Sequence, residues 1–251
     1  MKKIFLAFAG LLFSFQMIAA NDTQLVAKGN KAYMNGMFSQ AIACYQDVLK
    51  RGSASAELYY NLGNAYYKTD DLPSAILYYE KAKKLHPNDA DINFNLSVAN
   101  NKIADKIEQV PQLFIKRWWT AVFNLFSLET LATASIVLFT LFLLLISIFL
   151  FARPIWVRKV TFWCGIGILG VSISAFVIAQ RKHHALKEQK EAIVFTPAVT
   201  VKSSPDANSV DLFVVHEGAK VIILDTLATW QEIRIGNGSE GWIKAIDTRR
   251  I

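Results

Sequence analysis

Hydrophobic and polar positions follow different rhythms in different parts of this chain. From Asp22 to Glu108 they read as short helices separated by turns. Thr130 to Ala152 and Val160 to Gln180, runs of 23 and 21 residues, contain no charged side chain. A helix of about 20 apolar residues crosses hydrocarbon roughly 30 Å thick, so these two runs predict a transmembrane hairpin over 130–180. The basic stretch between them, Arg153 to Lys159, is too short to hold a domain, and a two-span hairpin puts both ends of the chain on one side of the membrane. Soluble helices of this length carry a polar face, which these runs lack. After Glu191 the pattern shortens to alternating segments divided by turn residues, which predicts an all-β module over 192–251.

The helical region repeats itself. Gly29 returns as Gly63, Asn30 as Asn64, Ala41 as Ala75 and Tyr45 as Tyr79, each 34 residues apart. Helices approach closely where side chains are small, which assigns packing roles to Gly29, Ala41, Gly63, Ala75 and Ala82, with Tyr59, Leu62, Tyr66 and Tyr79 around the contact. Pro73 suits a first helical turn and Pro87 ends the following helix. The stretch Glu57 to Tyr67, followed by Ala75, Tyr79, Ala82 and Pro87, resembles the tetratricopeptide repeat (TPR), an all-α solenoid. In the first copy Lys28 stands where the second has Leu62, and Ser53 where it has Pro87; residues 90–108 read as a capping helix. The resemblance implies a concave face that binds extended peptides, with Asn30 and Asn64 at positions that contact ligand backbone. Tyr33 and Tyr67 lie three residues on, on the same helix face. A structural role for these residues is the alternative. Val26, Phe94 and Val98 occupy places where the family's carboxylate clamp has basic side chains.

Lys2 and Lys3, the apolar run Ile4 to Phe15 and small Ala19 and Ala20 predict a signal peptide over 1–20, cleaved after Ala20. Ile18 is larger than the small residue usual there, which leaves an uncleaved anchor open. Export of the N-terminus places both termini outside. Lys116, Arg117, Trp118 and Trp119 mark 112–128 as an interfacial segment, and Trp156 and Trp163 mark the opposite boundary. In the second span Cys164, Gly167, Val171 and Ser174 share a face, with Gly170 beside them. Close packing there against the first span and against a partner's helix are both open.

In the β region, Asn237-Gly238 predicts a hairpin turn between Trp230–Ile235 and Gly241–Lys244. The order of segments from Val199 to Ile243 resembles the bacterial SH3-like barrel, which implies binding of peptides or peptidoglycan. Trp230 and Trp242 are the candidate ligand contacts, against a packing role in a small core.

Charge narrows the partners. The net charge is +7, yet residues 22–108 carry ten basic and ten acidic side chains and 191–251 carry six and eight. The excess flanks the hairpin, where membrane lipid with anionic head groups is the partner, and leaves no nucleic-acid footprint. Cys44 in the helical region and Cys164 in the second span cannot readily pair, and with no histidine cluster near them they form no zinc site. His183 and His184 sit in a basic patch. No Cys–His pair or Ser/His/Asp set is assembled by the pattern, so neither an enzyme nor a bound cofactor is expected.

Taken in order, leader, TPR repeats, hairpin and SH3-like module resemble the BatE-like TPR membrane proteins of the bacterial aerotolerance (Bat) operon. That resemblance implies an inner-membrane protein with periplasmic modules, working beside von Willebrand A-type Bat proteins and a MoxR-type ATPase. The reading is a non-enzymatic scaffold. A cell-envelope sensor or peptidoglycan-binding protein, and an accessory subunit of a cell-wall enzyme, are the alternatives.

Overall fold

The computed structural model describes residues 22–105, 126, 128–188 and 190–251. The expected leader lies outside the described residues, as does the interfacial segment apart from Phe126 and Leu128. The chain divides into two compact units, one formed by the N-terminal helices with residues 190–251, the other by the apolar hairpin.

In the first unit, helix α1 covers 22–34. It is followed by α2 (Phe38–Lys50), α3 (Ala56–Lys68), α4 (Leu72–Leu85) and α5 (Ala90–Asn100). Local chemistry sets the helix starts. Ser55 Oγ accepts from Leu58 N–H at 3.1 Å. An Asp71 carboxylate oxygen accepts from Ser74 N–H at 3.1 Å, with Pro73 in the first turn of α4. Asp89 accepts from Ile92 N–H at 3.0 Å at the start of α5. Each satisfies an amide that the helix itself leaves without a partner. Gly36 (φ +75°) and Asp70 (φ +62°), 34 residues apart, close the two turns that reverse the chain inside each repeat.

A helix pair meets through a glycine and a tyrosine in each repeat. A β-carbon on Gly63 would lie 2.5 Å from the Tyr79 ring, and one on Gly29 2.5 Å from the Tyr45 ring. Both rings are buried, as are Ala41, Leu62, Ala75 and Ala82. Pro87 follows the C-terminal cap of α4, His86.

The C-terminal residues form seven strands: β1 (Glu191–Val194), β2 (Ala198–Lys202), β3 (Asp211–His216), β4 (Lys220–Leu227), β5 (Trp230–Arg234), β6 (Glu240–Lys244) and β7 (Thr248–Arg250). They make one antiparallel sheet in the order β3-β2-β6-β5-β4-β1-β7. The sheet is not closed: β3 and β7 are its two edges. β2 shifts register at Val201/Lys202 and meets β6 through one register pair, Lys202 with Trp242, so the join in mid-sheet is slender. Val194, Val201, Val215, Val221, Ile233 and Ile243 fill the inner face. Gly238 (φ +93°) turns the β5–β6 hairpin.

Helices and sheet share a core. Ile193 of β1 is fully buried in a cluster with Ile76 and Leu77 of α4 and Leu96 and Ala99 of α5. Gly218 (φ +85°) brings the β3–β4 turn so near the helices that a β-carbon would lie 2.6 Å from Ile103 and 3.2 Å from Ile76. Polar contacts surround this junction. Lys220 Nζ lies 3.0 Å from buried Glu80 and 3.1 Å from Glu191. Asp105 accepts from the His216 backbone N–H at 2.6 Å and meets its ring Nδ1 at 2.7 Å. Burial by itself lowers the Lys220 pKa, but the carboxylates of Glu80 and Glu191 outweigh it and leave the pKa raised.

In the second unit, α6 (Leu128–Phe151) and α7 (Ile155–Glu188) pack as a hairpin. Thr130–Phe151 and Ile155–Arg181 are each long and apolar enough to cross a membrane. The reversal is tighter than the seven residues from Arg153 to Lys159. Ala152 N–H still bonds Ile148, and the Pro154 carbonyl already accepts from Arg158 N–H at 3.3 Å. Trp156, Arg158 and Lys159 therefore belong to α7, because proline readily stands where a helix begins. The face of α7 turned to α6 carries Thr161, Gly165, Ser172 and Ala179, and Ser172 Oγ donates to the Ser135 carbonyl at 2.9 Å. Cys164, Gly167, Gly170, Val171 and Ser174 lie on exposed positions instead, and Gly167 and Gly170 have open space beside them. The small-residue face is thus not the one that packs against the first span.

Candidate functional site

The A helices of the repeats, α1, α3 and α5, line a groove with two adjoining hollows. The first, about 260 Å³, lies among Asn30, Tyr33, Met34, Glu57 and Asn61. The second, about 170 Å³, lies among Tyr67, Lys68, Asn95 and Val98. Tyr33 and Asn64 border both. All four residues expected to meet a ligand, Asn30, Tyr33, Asn64 and Tyr67, line this one groove, half-buried.

The same hydrogen-bonded cluster occurs twice. Tyr45 donates its hydroxyl to Asn30 Oδ1 at 2.7 Å, and Tyr79 donates to Asn64 Oδ1 at 2.7 Å. Asn61 Nδ2 reaches Asn30 Oδ1 at 3.5 Å, and Asn95 Nδ2 reaches Asn64 Oδ1 at 2.9 Å. Asn95 also donates to the Tyr60 hydroxyl at 2.9 Å. The members of each cluster are separated from their counterparts by 34 residues. Two donors hold the Asn64 oxygen, and at Asn30 the Tyr45 hydroxyl is the close one with Asn61 at the far limit of bonding distance, so in both the oxygen is turned to the tyrosine. The Nδ2 groups of Asn30 and Asn64 then have no acceptor among the described residues. Two amide donors, held rigidly and one repeat apart, can bond the backbone carbonyls of a chain laid across the helices. One repeat further on the position is Val98, so the ladder of donors ends against an apolar wall.

Asn61 and Asn95 were missed by the sequence reading, although their spacing carries the same 34-residue signal as Asn30 and Asn64. Burial, with smaller contributions from Tyr33, Cys44 and Glu57, pushes the Tyr45 hydroxyl up to about 12. Burial likewise raises Tyr79, Tyr33, Tyr59, Tyr66 and Tyr78, so these hydroxyls stay protonated donors through the neutral range. Phe94 is exposed, Val26 half-buried, and Cys44 buried in α2.

On the sheet, Trp230 and Trp242 are both half-buried and stand on one face, opposite to the core. Trp230 pairs with Lys244 and Trp242 with Glu232, which makes the indoles diagonal neighbours on adjacent strands. Lys202 adjoins Trp242 in register, and Arg234 pairs with Glu240 at 2.5 Å on the same face. Cys164 is exposed on α7. Among the described residues no group of three His, Cys, Asp or Glu side chains is placed to hold a metal ion.

A tetratricopeptide repeat family model matches residues 26–90. No curated protein matches the chain. Residues 26–90 therefore contain the tetratricopeptide repeat, which supports protein partners in general.

Proposed function

We propose that the chain is a non-enzymatic scaffold in which a two-span anchor holds a peptide-binding TPR groove and an SH3-like module at a membrane surface. The observation that carries this reading is the duplicated cluster around Asn30 and Asn64, which leaves two oriented donors facing an open groove. The hairpin supports the anchor. Ile136, Leu144, Leu150, Phe151 and Val171 are exposed along it, a surface that water disfavours and hydrocarbon accepts. Ser172 and Thr161 bond to backbone carbonyls, as polar side chains in lipid do. Arg153, Arg158 and Lys159 gather at the hairpin's turn, where anionic head groups would meet them.

With the leader read as exported, both termini and both modules stand in the periplasm, the turn faces the cytoplasm, and the protein belongs to the inner membrane. In a Bat-type aerotolerance complex its partners would be the von Willebrand A-type proteins and the MoxR-type ATPase. The half-buried pair Trp230 and Trp242, on the sheet face opposite to the core, favours a second reading beside this one, in which the sheet contacts peptidoglycan or peptide.

Because helices and sheet share a core, point variants test the groove better than deletion of residues 22–108. Asn30→Ala/Asn64→Ala is expected to reduce recovery of co-purifying membrane partners at least tenfold, while reporters fused to the two termini both signal a periplasmic location. Undiminished recovery, or termini on opposite sides, contradicts the reading.

A further inference from the structure

The two hollows carry opposite charges, and neither charge is spent inside the protein. Glu57 is the charged side chain bordering the first and Lys68 the one bordering the second. Both are exposed, and neither has an ion-pair partner among the described residues. The Lys102 ammonium lies 4.4 Å from the centre of the Tyr67 ring, adding a second cation beside the second hollow. Lys68 and Lys102 occupy equivalent positions 34 residues apart, and the equivalent position in the first repeat is Met34, which borders the first hollow. Substitution at a single repeat position thus makes the column cationic at one hollow and neutral at the other. Glu57 faces that neutral end, and its field reaches the Tyr45 hydroxyl in the same hollow. Glu57 and Lys68 also lie in the first and last turns of α3, where each suits the helix dipole. The dipole explains their sign but not why Met34 breaks the cationic column beside Glu57.

Resting on the peptide-groove reading, we propose that this groove selects an extended peptide by charge order. A basic side chain sits against Glu57 in the first hollow, and an acidic one against Lys68 and Lys102 in the second. The Nδ2 donors of Asn30 and Asn64 hold backbone carbonyls between them. In an extended chain, carbonyls and side chains point in perpendicular directions, so the backbone can face the asparagines while its side chains reach the flanking charges. The asparagines supply affinity for any extended backbone. The charges decide which sequence stays.

The test is selection of a displayed random decapeptide library on the full chain in nanodiscs of phosphatidylethanolamine and phosphatidylglycerol, with empty nanodiscs as background. Wild type is expected to enrich peptides carrying one basic and one acidic residue in a fixed order. For such a peptide, Glu57→Gln should relax the basic position alone and Lys68→Gln/Lys102→Gln the acidic position alone. Each change should weaken binding about two- to fivefold, the range of exposed charge pairs. Selected peptides without charge order, or charge positions indifferent to both variants, overturn the proposal. If those peptides still need Asn30 and Asn64, the groove reading survives that result. If they bind Asn30→Ala/Asn64→Ala as well as wild type, or if nothing is enriched over background, the groove reading falls and this proposal with it.

Discussion

At the scale of single residues the repeats depend on a glycine that admits a ring. Gly63→Ala gains helix propensity worth about 1 kcal/mol, yet its β-carbon would overlap Tyr79. Overpacking costs about 1–3 kcal/mol, so the variant should melt at lower temperature than wild type by differential scanning calorimetry, with a net loss of up to about 2 kcal/mol. An unchanged melt would mean that the ring moves aside without cost. The tyrosines make a second, pH-dependent prediction. An unfolded tyrosine titrates near 10, whereas the folded chain holds the Tyr45 proton up to about 12. Stability from this group is therefore complete below about pH 10 and declines as pH rises through the folded value. Tyr45→Phe should cost about 0.5–1.5 kcal/mol at neutral pH through the lost bond to Asn30, and should show a shallower alkaline decline by circular dichroism. Equal alkaline slopes for the two proteins would contradict this. The 34-residue spacing makes Asn30, Asn64, Tyr33 and Tyr67 legible from sequence. What it conceals is that Tyr45 and Asn61 meet Asn30 while Tyr79 and Asn95 meet Asn64, because spacing reports equivalence between repeats and not the direction of a hydrogen bond.

At the scale of elements, apolar length identifies the two hairpin helices but not which of their faces meet. The stripe through Cys164, Gly167, Gly170 and Ser174 is rich in small residues and still faces outward, whereas Gly165, one position along from Cys164, faces α6. A β-carbon on Gly165 would lie 3.7 Å from Phe142, so alanine fits there and a larger side chain does not. Gly165→Leu should destabilise the hairpin by about 1–3 kcal/mol in detergent, while Gly167→Leu, with nothing within 4 Å, should be close to neutral. Equal effects at the two positions would show that the packed face is misassigned. The length of the turn was hidden for a different reason. Charge marks where the apolar pattern stops, but Trp156, Arg158 and Lys159 are compatible with a helix, and α7 starts beside Pro154, before its apolar run begins. The strands and their Asn237-Gly238 turn were legible from alternation, since period two reports local burial. The openness of the sheet was not, because the single β2–β6 register pair is a contact between residues 40 positions apart.

At the scale of the whole molecule, the TPR helices and the sheet are one compact body, although the hairpin separates them in sequence. No local pattern announces that Ile193 completes a core begun by Ile76 and Leu96, or that Lys220 serves Glu80. Lys220→Met removes the cation from a carboxylate pair of which Glu80 is buried, at a cost of about 1–3 kcal/mol given that Lys220 is a third exposed. Hydrogen exchange on the full chain should then quicken in α4 and β1 together. Quickening confined to the strands would mean that the modules are only loosely apposed. The most direct test of the central claim is a photo-crosslinking amino acid in place of Tyr33, which borders both hollows, activated in native membranes. The account predicts adducts to a discrete protein that disappear when Asn30 and Asn64 are changed to alanine. Adducts to lipid alone, or protein adducts indifferent to the two asparagines, would contradict it.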